Sequence, residues 1–245
     1  MDESLMHAEP LGNGKSIYVT KNHTFGTDAV LLADFAKKYK IKSAVDLGTG
    51  CGIIGFLILR DRPEAKVFGV DISEEAISAA EKTAEDFGFF NFTPVCSNLT
   101  ELKCKLGFGC HDLVVCNPPY KAKNAGLTNE NMKIKTARHE TECSLKDIIE
   151  VSAKLLKTSG KLCMCHRPER LAELLRLMSE NKIEPKRLRI VCKSKGCEPW
   201  LVLVTGVRCA NTGLRIDPPL FVYENGKFSE EMLKIYGTYK EGHAL

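Results

Sequence analysis

The chain has 245 residues, 44% hydrophobic and 27% charged, with a formal net charge of +4. This is an ordinary soluble globular composition, enough for one large domain or one domain with small additions. No apolar run approaches the roughly 20 residues of a membrane span, and the polar, acidic start MDESLMHAEP is unlike a secretory signal.

Residues 10–30, PLGNGKSIYVTKNHTFGTD and its flanks, predict a small β-rich lid ahead of the main fold. FGTDAVLLADF, from Phe25 to Phe35, predicts an amphipathic helix with Thr27 or Asp28 as its cap. From residue 41 strands and helices alternate. KSAVDLG is a strand, 53–60 a helix, and AKVFGVDIS a second strand. Ser73 offers an N-cap with Glu74 and Glu75 in the first turn, and Gly88 stops that helix. FTPVCSN and HDLVVC are the third and fourth strands. Ser144 and Asp147 form a capping-box pattern opening a helix that Gly160 is expected to end. KLCMCH is the fifth strand, 168–181 a helix, and RLRIVCK with WLVLVTGV an antiparallel hairpin at one edge of the sheet. Strands separated by helices imply a mostly parallel sheet covered on both faces.

Eleven cysteines, an odd number, mostly sit inside apolar runs. They predict reduced thiols in a cytosolic compartment rather than a disulfide framework. Cys163-x-Cys165 and the pair Cys192 and Cys197 lack a histidine pattern of zinc-finger type, so they read as structural and no metal is expected. Basic residues cluster in two places, Lys182–Lys195 and Lys121–Arg138. Such runs are commonly solvated faces; beside a nucleic-acid substrate they become phosphate contacts.

Two motifs carry chemistry. VDLGTGCGIIG follows the first core strand: Asp46 ends the strand, then Gly48, Thr49, Gly50 and Gly52 follow. The glycines allow tight turns and close ligand approach. Asp71 ends the second strand about 20 residues on, where a carboxylate accepts hydrogen bonds from ribose hydroxyls. Gly50–Gly55 also matches the dinucleotide pattern G-x-G-x-x-G, which keeps a nicotinamide oxidoreductase open. An acidic residue ahead of the loop, however, suits a cationic amino-acid end better than a diphosphate.

The second motif is VVCNPPYK. Each proline removes an N–H donor, fixes its own φ and forces its predecessor into extended geometry. The resulting stiff elbow lies at a strand's carboxyl end, where open α/β sheets bind ligands. There the Asn117 amide oxygen and the Pro118 carbonyl are two fixed acceptors for an NH2 group whose lone pair is delocalised, and Tyr120 can stack on its ring.

The acid-first glycine loop resembles motif I of class I S-adenosylmethionine (SAM) methyltransferases, and NPPY resembles the motif IV of amino-methyltransferases. FGTDAVLLADF, DLGTGCGIIGFLI, VDISEEAISAAEKT, NPPYK, ARHE and GLRIDPPLFVYENGKFSEE, in this order, are similar to the bacterial tRNA1(Val) (adenine-N6)-methyltransferase family. The resemblance implies an α/β, Rossmann-like class I methyltransferase fold. It would have a mostly parallel seven-stranded sheet, an antiparallel edge hairpin and a small N-terminal β-rich lid. It implies one domain over 1–245, with an N-terminal extension at 1–30, a SAM-binding catalytic core at 41–207 and a C-terminal extension at 208–245. It further implies SAM as cofactor, tRNA as partner and N6-methylation of an adenine beside the anticodon.

On that reading Asn117, Pro118, Pro119 and Tyr120 hold the target base. Asp46, Gly48, Thr49, Gly50, Gly52, Asp71, Ile72, Ser97, Asn98, Asn117, Thr27 and Asp28 hold SAM. An Asp is frequent at position 98 in such enzymes, so Asn98 implies an amide contact in place of a carboxylate. Lys121, Lys123, Lys133, Lys135, Arg138, Lys186 and Arg187 would meet RNA, from a basic loop suited to extracting a base. The chain leaves no length for a DNA-recognition domain, and a structured tRNA is recognised by shape. A cytoplasmic monomer or weak homodimer is expected. A glutamine N5-methyltransferase acting on a release factor, an rRNA base amino-methyltransferase and a non-catalytic RNA-binding protein remain alternatives.

Overall fold

The computed structural model describes residues 6–104, 106–118 and 144–237. β1 (Met6–Gly12) and β2 (Lys15–Thr20) form an antiparallel hairpin. Asn13 and Gly14 both have positive φ, 54° and 71°, the two-residue turn whose twist matches paired strands. The hairpin packs on α3 (Glu74–Asp86), with Tyr18 N donating to Thr83 and Thr20 Oγ1 to Glu75. Between them lie α1 (Thr27–Ala36), β3 (Ser43–Leu47), α2 (Ile53–Asp61) and β4 (Lys66–Asp71). Then come β5 (Phe92–Cys96), β6 (His111–Cys116), α4 (Leu145–Leu155), β7 (Leu156–His166), α5 (Leu171–Glu180), β8 (Ile183–Cys192) and β9 (Pro199–Arg208). The chain closes with the short strands β10 (Arg215–Ile216), β11 (Leu220–Phe221), β12 (Tyr223–Glu224) and β13 (Lys227–Phe228), and α6 (Glu230–Tyr236).

The main sheet runs β10–β8–β9–β7–β6–β3–β4–β5, with β11 also on β8. β3 to β7 are mutually parallel; β9 lies antiparallel between β7 and β8. The architecture is the α/β, Rossmann-like sheet that the alternation implies. The β8–β9 hairpin is antiparallel, as expected, and the two-residue strands β10 and β11 pair with Arg187, Leu188, Val191 and Cys192 on the outer side of β8, covering part of that edge.

Successive side chains of a strand point to opposite faces. On β6, Leu113 and Val115 enter one core layer, with α1 and α2; Val114 and Cys116 enter the other, with α4 and α5. On β7, Cys163 and Cys165 divide from Leu162 and Met164 in the same way. Two-sided burial is why these strands read as unbroken apolar runs. Burying them removes apolar surface at roughly 25 cal/mol per Å².

The capping box at α4 is present: the Ser144 side chain accepts from Asp147 N, and the Asp147 side chain from Ser144 N. Gly160, however, does not end that helix. The helix stops at Leu155 and Gly160 sits inside β7. A Cβ there would lie 2.8 Å from Lys157 O and 2.9 Å from His111 O, at the irregular start of the β6–β7 pairing. The glycine serves a close backbone approach, which is why it mimics a helix stop in sequence.

Candidate active site

Chain connectivity reverses direction at β3, which has β4 on one side and β6 on the other. In such sheets ligands bind beyond the carboxyl ends of the strands at the reversal. A cavity of about 310 Å³ lies there, lined by Leu47 and Gly48 after β3, Asp71 and Ile72 after β4, Ser97 to Leu99 after β5, and Cys116 to Pro118 after β6. Gly50, Asn22, His23 and Ile148 complete the wall.

The glycine loop is lashed to the neighbouring strand. Gly48 N and Thr49 N both donate to Val70 O at 2.9 Å, and Gly50 N donates to Asp71 Oδ2 at 2.8 Å. Ser73 N donates to Asp71 Oδ1 at 3.0 Å. Asp71 therefore sits with both oxygens oriented, and each keeps further acceptor capacity. Gly48 and Gly50 have φ of 70° and 55°, and a Cβ on either would meet nothing within 4 Å. The space a side chain would fill here is the cradle itself. It fits SAM: an acceptor for a ribose diol at Asp71, apolar walls at Ile72 and Leu99, and an amide at Asn98. Ile72 is 42% exposed, unusual for an isoleucine and explained by its place on a ligand wall.

Asp46 is placed differently from the expectation that it meets the cationic end of the cofactor. It is fully buried under the loop and lines no part of the cavity. Its Oδ2 accepts from Thr49 Oγ1 at 2.7 Å and from Gly55 N at 3.3 Å, while Oδ1 has no hydrogen-bond partner among the described residues. Burial pushes this carboxyl up to about 7, against the pull of those two donors. It is a brace for the loop and the start of α2, not a fixed surface charge. Thr49, 4% exposed, belongs to the same brace. Gly52 precedes α2 with φ 91°, and a Cβ there would lie 2.4 Å from the Phe56 ring. Thr49 and Gly52 therefore also shape the loop from beneath.

On the opposite wall Asn117 ends β6. Its Nδ2 donates to Asp28 Oδ2 at 3.1 Å, and Cys165 Sγ donates to its Oδ1 at 3.0 Å. Thr27 and Asp28, expected at the cofactor, do not line the cavity. Thr27 Oγ1 shares a 3.0 Å hydrogen bond with Tyr236 Oη, which ties the end of α6 to the start of α1. The N-cap of α1 is Gly26, not Thr27 or Asp28. Pro118 lines the cavity beside Asn117. Pro119, Tyr120, Lys121, Lys123, Lys133, Lys135 and Arg138 lie outside the described residues.

Two expected RNA contacts have structural partners instead. Arg187 points inward, its side chain 12% exposed; Nε donates to Asp217 Oδ2 at 2.5 Å and the guanidinium lies 3.9 Å from the Phe35 ring centroid. Lys186 Nζ donates to the carbonyls of Asn211 and Thr212. Both residues sit in the amino-terminal half of β8, away from the cavity edge.

Sequence reasoning missed Asn22, His23, Leu47, Leu99, Cys116 and Ile148 as wall residues. Asn22 and His23 follow the N-terminal hairpin and reach the cavity because that hairpin docks on α3: Asn22 Nδ2 donates to Glu75, and His23 Nε2 is 2.9 Å from Ser73 Oγ. No local pattern signals them.

A family model described as "Methyltransferase domain" matches residues 39–211. A tRNA1(Val) (adenine(37)-N6)-methyltransferase of a Flavobacteriaceae bacterium (strain 3519-10) is 27% identical over 223 residues, spanning 88% of this chain and 90% of that one. Its counterpart in Parabacteroides distasonis is 31% identical over 180 residues, spanning 73% and 74%. A crystal structure of a predicted O-methyltransferase from Agrobacterium tumefaciens superposes with a TM-score of 0.71 at 19% identity, covering 87% of this chain and 97% of that one. That likeness concerns the fold alone. The chain is a methyltransferase-domain protein and belongs to the tRNA1(Val) (adenine(37)-N6)-methyltransferase family.

Proposed function

We propose that this chain methylates N6 of adenine 37 in tRNA1(Val), using SAM. The observation that carries the proposal is the placement of Asn117. Its carboxamide stands on the wall of the same cavity whose far side is the glycine cradle and Asp71.

When bound, SAM supplies an electrophilic methyl group on a cationic sulfur. Gly48, Gly50, Asp71, Ile72, Ser97 and Asn98 would hold it. The chain's task is the amine. The lone pair of an adenine amine is delocalised into the ring. Asn117 Oδ1 and the Pro118 carbonyl accept its two N–H bonds, draw their electrons toward nitrogen and favour a pyramidal, nucleophilic geometry. With SAM held there, the amine nitrogen would take its methyl group, leaving the neutral thioether, and one N–H proton would leave through Asn117 Oδ1 and the Pro118 carbonyl to solvent. No strong base is required, because the proton is lost from a nitrogen already made cationic. Positioning supplies the rest of the rate. The family name of the relatives supports the substrate. The buried thiols support a reducing, cytoplasmic setting. We further propose that 1–245 works as one domain and as a monomer or weak dimer, with the basic residues Lys121, Lys123, Lys133, Lys135 and Arg138 contacting RNA.

The test is nucleoside mass spectrometry of an unmodified tRNA1(Val) transcript treated with protein and SAM, with a release factor as the control acceptor. N6-methyladenosine is expected in the RNA and no methyl on the protein. Asn117→Ala is expected to keep SAM affinity while turnover falls roughly 100-fold or more, the usual cost of removing one preorganised polar group at the reacting atom. Wild-type turnover in that variant would remove Asn117 from the mechanism.

A further inference from the structure

The Asn117 carboxamide has two faces, and the reaction needs the right one toward the substrate. An amine must meet the oxygen; an NH2 in its place would offer no acceptor. The two ends of the group are nearly isosteric, so shape alone does not select between them. We propose that Asp28 is a positioning residue for Asn117, setting which end of the carboxamide faces the target amine. The inference rests on the role of Asn117 just proposed.

Asp28 Oδ2 lies 3.1 Å from Asn117 Nδ2. An ionised carboxylate only accepts hydrogen bonds, so the amide atom facing it is the nitrogen and the oxygen is turned away. The bond is charge-assisted, roughly twice the strength of a neutral one. It also polarises the amide, moving electron density onto Oδ1, the atom asked to accept from the amine. Cys165, on β7 next to β6, lies 3.0 Å from that oxygen and fixes it from the other side.

The surroundings serve the carboxylate's position. Ala29 N donates to Asp28 Oδ1 at 3.0 Å. A Cβ on Gly26 would come within 2.7 Å of that same oxygen, so the glycine two residues earlier leaves the room the carboxylate occupies. The Thr27–Tyr236 hydrogen bond holds the first turn of α1 from the C-terminal side. The segment Gly26-Thr27-Asp28 thus acts on the reaction through Asn117, although it lines no cavity wall.

The experiment is a swap. Asn117→Asp places two acceptors face to face and is expected to lower kcat on tRNA1(Val) transcript roughly 100-fold, the scale of a misplacement of about 1 Å. Asp28→Asn combined with Asn117→Asp restores a donor opposite an acceptor, with the partners exchanged. It is expected to regain at least roughly tenfold in kcat over Asn117→Asp alone, because paired residues are not additive. Asp28→Ala is expected to lower kcat with the Kd for SAM, by calorimetry, within roughly threefold of wild type. Additive losses in the double variant would overturn the inference. So would wild-type kcat in Asp28→Ala, or a loss confined to SAM affinity, which would return Asp28 to the cofactor. Thermal melts of each variant identify any unfolded protein, and rescue in the double variant cannot arise from misfolding. Asn117→Ala at full turnover sinks the underlying reading. Asn117→Ala inactive beside fully active Asp28→Ala sinks only this one.

Discussion

Asp46 shows how much burial changes the meaning of one carboxylate. Beside a glycine loop its charge reads as a ligand for a cation. In the fold it has no exposed surface, one oxygen without a hydrogen-bond partner among the described residues, and a pKa raised by desolvation to about 7. The unfolded chain releases that proton near pH 4. Between about pH 4 and pH 7 the folded state therefore binds a proton that the unfolded state has lost, and stability falls as pH rises through that window. An amide at the same site carries no such penalty. The melting temperature of Asp46→Asn, relative to wild type, is therefore expected to be higher at pH 8 than at pH 5, by roughly 3 °C or more. Scanning fluorimetry at the two values checks it; an equal difference at both would mean that Asp46 is already ionised at pH 5. His111 carries the opposite shift, lowered by burial, with its ring between Ser43 and the Leu106 carbonyl. Its stabilising contribution is lost as pH falls, not as it rises.

At the scale of elements, the informative case is β8. Its run of Lys186, Arg187 and Arg189 looks like a phosphate-binding stripe in one dimension. The short strands β10 and β11 lie on that strand, and the cations hold the segment around them: Arg187 to Asp217, Arg189 to the Pro218 carbonyl and to Glu231 of α6, Lys186 to the carbonyls of Asn211 and Thr212. The Arg187–Asp217 pair is only 12% and 10% exposed, and deleting Arg187 leaves Asp217 with the 3.5 Å contact to the exposed Arg215. Arg187→Ala is expected to cost roughly 2–3 kcal/mol in urea unfolding, below the roughly 3–5 kcal/mol of a fully isolated buried pair because Arg215 stays beside Asp217. The affinity of the remaining folded protein for tRNA, by filter binding, should stay within roughly twofold. A large loss of RNA affinity without loss of stability would restore the phosphate role. Gly160 teaches a similar point. Its signal for a break in structure is correct, but the break is a close backbone approach between β6 and β7 rather than a helix end.

For the whole molecule, the sheet sorts its thiols by depth. Cys51 and Cys163 are pushed up to about 12 by burial, Cys116, Cys165 and Cys192 are also buried, and Cys96, Cys110, Cys197 and Cys209 are exposed. Only thiolates react readily, and burial disfavours the thiolate. Among these nine described cysteines, maleimide applied to the native protein at pH 7 is expected to modify the four exposed sites and spare the five buried ones until denaturant is added. Peptide mass spectrometry reads the sites directly. Rapid native labelling at Cys163 or Cys165 would mean that the layer under β7 opens.

The alternation of strand and helix, the glycine loop, the capping box at Ser144 and the strand end at Asn117 are legible in the sequence. Each is a local signal, set by backbone sterics or by side-chain periodicity over a few residues. That Asp46 is buried beneath the loop while Asp71 faces the cavity emerges from the packed fold. It alone brought Asp28, Cys165 and Asn117 together, though they lie 89 and 48 residues apart. It alone turned Arg187 inward. The physical reason is the same in all three cases. Which way a polar side chain faces depends on what packs against its element from elsewhere in the chain, and neither propensity nor spacing carries that information.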